Sequence, residues 1–169
     1  MSWNTEITEL VRVLINDLDT TETYTDSRIE RVIIIGATQV LQEVSFPTEY
    51  TVDVANITIS PDPTALDPKD YGFINLVSLK TACLILGGEV KQYSLVGSIS
   101  VTDGPSNINM GNVFKNIQDT AKDMCLKYAQ AKLEYKMLES SLNGQTVITP
   151  STYLGSYESD PRSSYGNIY

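Results

Sequence analysis

The feature that most constrains this chain is one apolar seam along its last predicted helix, Met110–Leu142. Apolar residues recur there at alternating gaps of four and three, which is the repeat of a helix that packs lengthwise on other helices. At ~1.5 Å per residue, about 30 residues form a rod of roughly 45 Å, which is longer than a small domain is wide. We therefore expect this helix to line the core of a bundle, and we expect the same rod to contribute to a subunit interface. The seam consists of Ile117, Ala121, Met124, Tyr128, Ala131, Tyr135, Leu138 and Leu142.

Two earlier helices are predicted by the same kind of spacing. The second follows a cap at Tyr24–Ser27 and ends before Pro47. Gly36 lies inside it, and because glycine is unfavourable within a helix, it indicates a close helix crossing. The first helix begins at Ser2 or Asn4 as N-cap and presents one apolar face, formed by Trp3, Ile7, Leu10, Val11, Leu14 and Leu18.

A third helix is predicted between two small β elements. Glu49–Ser60 alternates with a break, which indicates two short strands or one strand with a bulge. The helix starts at Asp67-Pro68 and ends at Gly87-Gly88, with a further polar turn up to Tyr93 left open. Leu95–Asp103 alternates again and, with Ile108 on a return strand, predicts a small hairpin.

The predicted fold is mainly α, a bundle of about four helices with a long last helix, two hairpin-like β elements and an extended C-terminal arm. Residues 1–144 form the helical body and residues 145–169 the arm. The arm is rich in Ser, Gly, Thr and Tyr and has almost no periodicity, so it cannot bury enough surface to fold by itself.

The aromatic and aliphatic side chains of the arm are its candidate binding residues. Tyrosine offers a large contact area with few rotors and is enriched at interfaces, and extended peptides bind by adding a strand or by filling grooves. A solvated terminus without a function is the alternative. The predicted partner-binding residues are Tyr153, Leu154, Tyr157, Tyr165, Ile168 and Tyr169.

Composition argues against catalysis and against nucleic-acid affinity. The chain contains no histidine, and its formal net charge is −9. We find no catalytic motif, and acid pairs such as Asp17 with Asp19, or Asp119 with Asp123, are typical of solvated helix surfaces. We therefore predict no enzyme activity, no metal site and no cofactor. A negative surface repels phosphates, although it suits a protein past which DNA must slide.

The two cysteines and the most apolar stretch bear on the compartment. Cys83 and Cys125 each lie within a predicted helix and form no CxxC pair, which favours a reducing compartment and buried thiols; a facing pair is the alternative. No secretion signal is recognised. Tyr71–Gly88 is apolar, but Lys80 at its centre would cost about 3 kcal/mol in a bilayer, so we predict a buried helix and no membrane contact.

Three segments resemble the head–tail connector (adaptor) proteins of tailed bacteriophages. Tyr24–Arg31 resembles the family's "Y-[ST]-D-x-x-[IL]" helix start, Ser98–Gly104 its hairpin, and Phe114–Leu138 its long last helix. The order and spacing match over roughly residues 3–142, whereas the arm departs in length and composition.

The resemblance implies a structural virion protein at the neck of the particle, assembled in the host cytoplasm. Such proteins form rings, commonly of twelve copies, beneath the portal protein, and DNA passes through their channel without specific binding. The arm would dock onto the portal or neighbouring subunits, and Leu95–Ile108 would contact the ring neighbour or another tail or neck protein.

Three alternatives stay open at this point. One is another neck or tail protein, such as a tail terminator or completion factor, although these usually contain more sheet. Another is a cytosolic helical binding module with a peptide-like C-terminal arm, which would remain a monomer beside phage components. The last is a hydrolase that uses the surface acids Asp119 or Asp123, which would need a metal.

Overall fold

The fold is mainly helical with one small hairpin, in a computed structural model that describes residues 2–18, 23–96 and 110–142. The predicted fold class is confirmed, including the long last helix. The elements are Trp3–Ile15 (α1), Asp26–Glu43 (α2), Thr51–Asp53 (β1), Thr58–Ser60 (β2), Tyr71–Val96 (α3) and Met110–Leu142 (α4).

The core lies where α3 packs against α2 and α1. Gly36 of α2 contacts α3 so closely that a Cβ there would lie 2.8 Å from the Thr81 hydroxyl oxygen. The close helix crossing predicted from this glycine is therefore confirmed. The side chains that are fully buried around it include Ile7, Val11, Ile33, Val40, Phe73 and Val77.

The first helix ends earlier than predicted. Asn16 adopts a left-handed conformation with φ 58°, and its N–H bonds back to the carbonyls of Arg12 and Val13. Leu18 therefore lies beyond α1 and is 61% exposed, so its predicted place on the apolar face is wrong. Leu10, also predicted on that face, is 41% exposed.

A buried arginine ties the end of α1 to the start of α2. Arg12 donates to the Asp17 carboxylate at 2.9 Å, to Asp26 at 2.6 Å and to the Tyr24 carbonyl at 2.9 Å. Burial alone would raise the pKa of Asp17, but backbone N–H donors from Thr23 and Tyr24, together with Arg12, hold it below its ordinary value. The Tyr24 side chain is buried, and its hydroxyl donates to Glu89 of α3.

The first β element consists of two short antiparallel strands, which confirms the prediction of two strands over that of one strand with a bulge. Val52 faces Ile59 across the pair. Ile59 is buried against the helices. Tyr50, just before β1, stacks on Phe73 of α3 with ring centroids 4.0 Å apart. The hairpin is thus attached to the core through its inward side chains.

The third helix is displaced from its predicted bounds at both ends. It starts at Tyr71 because the Asp70 carboxylate accepts the N–H of Phe73 at 2.9 Å, so Asp70 and not Asp67 acts as the cap. It continues through Gly87-Gly88 and past the polar turn to Tyr93 that the sequence left open, because Val90 packs against the core and Glu89 accepts from Tyr24, which outweighs about 1 kcal/mol per glycine.

The predicted second β element begins inside this helix. Leu95 and Val96 are helical, so the strand predicted from Leu95 is wrong at its first two residues. The rest of that predicted hairpin, to Ile108, lies outside the described residues.

Helix α3 is also, within the part of the chain that the structure describes, the one helix long and apolar enough to cross a bilayer by length and composition. Half of its most apolar window is buried inside the protein. Lys80 in its middle pairs with Glu43 of α2 at 3.0 Å. Its buried side chains belong to the core, as predicted for a buried helix.

Helix α4 follows its predicted seam as far as Tyr135. Ala121, Met124 and Tyr128 are buried, and the neighbouring seam positions are half-buried. Leu138 is 61% exposed, so its predicted burial is wrong; it lies beyond Tyr135, where the first compact unit ends.

The chain divides into two compact units, Met1–Tyr135 and Lys136–Tyr169. The boundary between them falls inside α4. The boundary predicted at Gly144 lies outside the described residues.

Candidate interaction surfaces

Of the acids considered for catalysis, Asp17, Asp119 and Asp123 lie in the described residues, and they have structural or surface roles. Asp119 and Asp123 are exposed on α4 and pair with Lys122 at 3.9 Å and Lys127 at 2.8 Å. Asp17 is itself buried beyond the end of α1 and is bound by Arg12, so its predicted place on a solvated helix surface is wrong. Asp19 lies outside the described residues. Among residues 2–18, 23–96 and 110–142, no group of three or more His, Cys, Asp or Glu could hold a metal ion.

The predicted partner-binding residues of the arm cannot be placed. All six, Tyr153, Leu154, Tyr157, Tyr165, Ile168 and Tyr169, lie outside the described residues. Candidate surfaces are therefore built from the helices and the hairpin.

A charged cluster joins α2, α3 and α4. The Glu43 carboxylate accepts from Lys132 at 2.7 Å, Lys80 at 3.0 Å and the Tyr128 hydroxyl at 2.9 Å. Lys132 and the other donors lower the pKa of Glu43 to about 2, against an opposing effect of burial. Both ammonium groups also lie over the Tyr128 ring. The partners satisfy one another, so the cluster fastens the helices and offers no reactive group.

A disulfide also joins α3 to α4. Cys83 and Cys125 are bonded, with Cα atoms 4.9 Å apart. The predicted pair of buried free thiols is therefore wrong. Facing helices bring together two residues that are 42 positions apart, which no local pattern could show.

An apolar groove lies between α2 and the turn that joins β1 to β2. It encloses about 290 Å³. Ile35 is 45% exposed and Val54 59% exposed, so two of its walls are open to solvent. We call this the hairpin groove; its lining residues are Arg31, Ile34, Ile35, Val54, Ala55 and Ile57.

The hairpin groove lies on the side of α2 opposite Glu43; its lining residue Ile34 belongs to the core at 1% exposure, whereas Ile35 is open to solvent. Ile34 and Glu43 are nine residues apart, about two and a half helical turns, so they lie on opposite sides of α2. Glu43 points to α3 and α4 through its ion pairs. Arg31, at the groove, is exposed and makes no ion pair with a described residue.

The second exposed apolar surface lies on α4. Leu126 is 67% exposed and Leu133 is 54% exposed. They are seven residues apart, about two turns, and therefore share one face. Leu126 is two residues from both Met124 and Tyr128, which are buried, so that face points away from the core. We call Leu126, Leu133 and the adjacent Glu134 the α4 outer face.

The α4 outer face corrects one expectation from the sequence. The helix was predicted to be apolar on a single seam, and it also exposes two leucines, Leu126 and Leu133, on the opposite side. The seven-residue spacing of Leu126 and Leu133 is visible in the sequence, but which of the two faces is buried is decided by packing. The hairpin groove has no such local signal.

No protein-family model, curated protein or solved structure matches this chain. Its functional interpretation therefore rests on these surfaces, on the charge of the chain and on the resemblance carried by its motifs.

Proposed function

We propose that this protein is a structural virion protein, a ring-forming adaptor that docks beneath the portal and connects capsid to tail in a tailed bacteriophage. The observation that carries the proposal is the α4 outer face, since Leu126 and Leu133 stay largely exposed on a long helix whose other face is already in the core. Apolar side chains that recur two turns apart on one exposed helix face are available to pack against a partner protein.

The order of the elements supports the same assignment. A short first helix leads through Tyr24, Thr25 and Asp26 into a second, apolar helix, and the longest helix comes last. Tyr24 is buried and Asp26 binds Arg12, so this motif holds the first two helices together. A ring subunit needs such a rigid body to present its surfaces at fixed angles.

The charge of the chain supports a role near DNA without affinity for it. The formal net charge is −9. A protein that binds DNA neutralises phosphates with Lys and Arg, and a negative wall does the opposite. In the proposed ring, DNA slides through the channel without being held.

The Cys83–Cys125 disulfide is compatible with a particle that leaves the cell. Disulfides persist on virion surfaces and in other oxidising surroundings, and are rare in the cytosol. The proposed partners are the portal protein, other neck or tail proteins, and further copies of this chain, twelve by the family resemblance. In this proposal the arm residues Tyr153 to Tyr169 make the portal contact.

The proposal is tested by locating the protein in the particle and by removing it. Immunogold labelling of purified virions should place it at the vertex that joins head to tail. Interruption of its gene should leave DNA-filled heads and finished tails that do not join, and supplying the full-length protein should restore joining.

Two other outcomes would identify the alternatives. Label found on isolated tails, with tails of abnormal length in the mutant, would indicate a tail terminator or completion factor. Normal virions in the absence of the protein, with none of it in the particle, would indicate a cytosolic binding module and contradict the proposal.

A further inference from the structure

We infer that the α4 outer face of one copy docks into the hairpin groove of the next copy, which makes a head-to-tail contact between copies of this chain. The inference rests on the self-assembly part of the proposed function and names the two surfaces that carry it. Both surfaces belong to the compact unit Met1–Tyr135.

The two surfaces match in shape and polarity. The hairpin groove encloses about 290 Å³, close to the lower end of the ~300–1,000 Å³ typical of ligand pockets. A space of this size, with Ile35 and Val54 half open to solvent, suits protruding aliphatic side chains better than a whole cofactor. Leu126 and Leu133 protrude from α4 two turns apart and supply such side chains.

The charges match as well. Arg31 at the groove makes no ion pair within the described part of the chain. On α4, Asp123 already pairs with Lys127 at 2.8 Å. Glu134 differs, because it accepts a hydrogen bond from the neutral Gln130 at 3.0 Å and makes no ion pair with any described residue. An Arg31–Glu134 pair between copies would satisfy both charges.

The positions of the two surfaces determine the kind of assembly. Glu43 binds Lys132 of α4 on one side of α2, and Ile34 lines the groove on the opposite side. The α4 outer face and the hairpin groove therefore lie on different sides of the unit, and one copy can use both at once. A contact between unlike surfaces produces a ring if the rotation closes and a filament if it does not, whereas a two-fold dimer needs a single self-complementary surface.

Cross-linking of the full-length protein tests which surfaces meet. Two variants, Val54→Cys and Leu133→Cys, are prepared separately and treated with a short bismaleimide, which spares Cys83 and Cys125 because they are disulfide-bonded. We expect covalent dimers when the two variants are mixed and none from either alone. Val13→Cys, at a position 59% exposed on α1, replaces Val54→Cys in the control mixture and should give none.

Two results of this experiment would overturn the inference. If the Leu133→Cys variant forms covalent dimers on its own as well as in the mixture, the contact joins α4 to α4. A mixture that gives no dimer at the highest soluble concentration would show that the two surfaces do not meet.

A charge exchange tests the pairing of Arg31 with Glu134. Sedimentation velocity over a range of concentrations measures self-association of wild type, Arg31→Glu, Glu134→Arg and the double variant. Each single change should weaken association at least about tenfold, and the double variant should recover most of it. Glu9→Arg, at an exposed position and with the same change in net charge as Glu134→Arg, should behave as wild type.

The outcomes separate the inference from the proposed function. A wild-type protein that stays monomeric at every concentration, or single variants that associate as wild type does, would overturn the contact. Immunogold label at the head–tail vertex would then still support an adaptor that assembles on the portal. If the copies associate through these surfaces but no immunogold label is found in the virion, the inferred contact would be supported and the proposed function contradicted.

Discussion

Glu43 links α2 to α3 and α4 through ion pairs. Its carboxylate is about one-third exposed and accepts from Lys132, Lys80 and Tyr128. Because the charged form makes these bonds, the folded protein holds the pKa of Glu43 at about 2, below the ordinary 4.5. A group whose pKa is lowered by folding stabilises the protein above its unfolded pKa and ceases to do so as pH falls through its folded pKa.

We therefore predict that Glu43→Gln destabilises the protein in a pH-dependent manner. At pH 6 the loss should be about 1–2 kcal/mol, reduced from the full linkage value by solvent screening. The difference between wild type and Glu43→Gln should shrink between about pH 4.5 and pH 2, where the wild-type carboxylate becomes protonated.

Urea unfolding followed by circular dichroism at several pH values measures this difference. Glu9→Gln, at an exposed position, serves as the control and should change stability little at any pH. If the difference in free energy of unfolding between wild type and Glu43→Gln stayed constant down to pH 2, ionisation of Glu43 would not be the cause of that difference.

At the scale of elements, the crossing of α2 and α3 depends on the absence of a side chain at Gly36. A Cβ there would lie 2.8 Å from Thr81 Oγ1, and that hydroxyl is itself buried and donates to the Val77 carbonyl. The Thr81 side chain therefore cannot rotate away without losing a buried hydrogen bond, so the helices would have to separate.

Gly36→Ala should lower the free energy of unfolding by about 1–3 kcal/mol through overpacking, although alanine is the better helix former. Gly88→Ala is the matched control, since nothing lies within 4 Å of its Cβ position, and it should raise stability by about 0.5–1 kcal/mol. Denaturant unfolding measures both. Thr81→Ala combined with Gly36→Ala should recover part of the loss, and equal effects of the two glycine substitutions would contradict the close crossing.

Helix α4 is attached to the rest of the unit by a few strong links and a narrow seam. Cys125 is bonded to Cys83 of α3, the Glu43 cluster binds Tyr128 and Lys132, and the Tyr135 ring lies over Gly72. The backbones of α1, α2 and α3 contact one another along more of their lengths than they contact α4. The disulfide should therefore contribute much of the attachment of α4.

We predict that the oxidised protein has no thiol reactive toward DTNB under denaturing conditions, and that reduction exposes two. Replacing both cysteines with alanine should lower the free energy of unfolding by about 2–4 kcal/mol, as a cross-link over 42 residues restricts the unfolded chain. Equilibrium urea unfolding measures the loss. Wild type unfolded in the presence of a reductant should lose a similar amount, and two reactive thiols in the oxidised sample would contradict the bond.

For the whole molecule, the proposed function separates a folded body from an arm that acts on partners. The body has its core among α1, α2, α3 and the buried seam of α4, and it presents two apolar surfaces of its own. The arm, residues 145–169, offers four tyrosines, Leu154 and Ile168 for contact. A change in the arm should therefore abolish assembly and leave the folding of the body intact.

A chain that ends after Gly144 should keep its helical circular dichroism and its cooperative unfolding, and under the proposed function it should no longer assemble onto a portal protein. A full-length variant with Tyr153, Tyr157, Tyr165 and Tyr169 replaced by serine should show the same loss, since it keeps the arm but not its aromatic contacts. Co-sedimentation with the purified portal measures assembly. If the truncated chain assembled normally, the arm would not be needed for binding the portal, which would contradict this prediction.

Most elements could be predicted from the sequence because they depend on local periodicity and caps. The α4 seam to Tyr135, the α2 start after Tyr24, the Gly36 crossing and the two strands near Val52 were all predicted from residues close in the chain. The sequence left the continuation of α3 past Gly87-Gly88 open, because it depends on the packing of Val90 and on the Tyr24–Glu89 hydrogen bond, which override the local preference of glycine.

By itself, then, the sequence determined the class of fold, the places where most helices begin, and the acidic character of the surface, since all of these follow from nearby residues or from composition. Only the tertiary structure decided that Cys83 meets Cys125, that Arg12 is buried among carboxylates, and that a groove opens beside Ile35. These features join residues far apart in the chain, and their partners are set by how the helices pack.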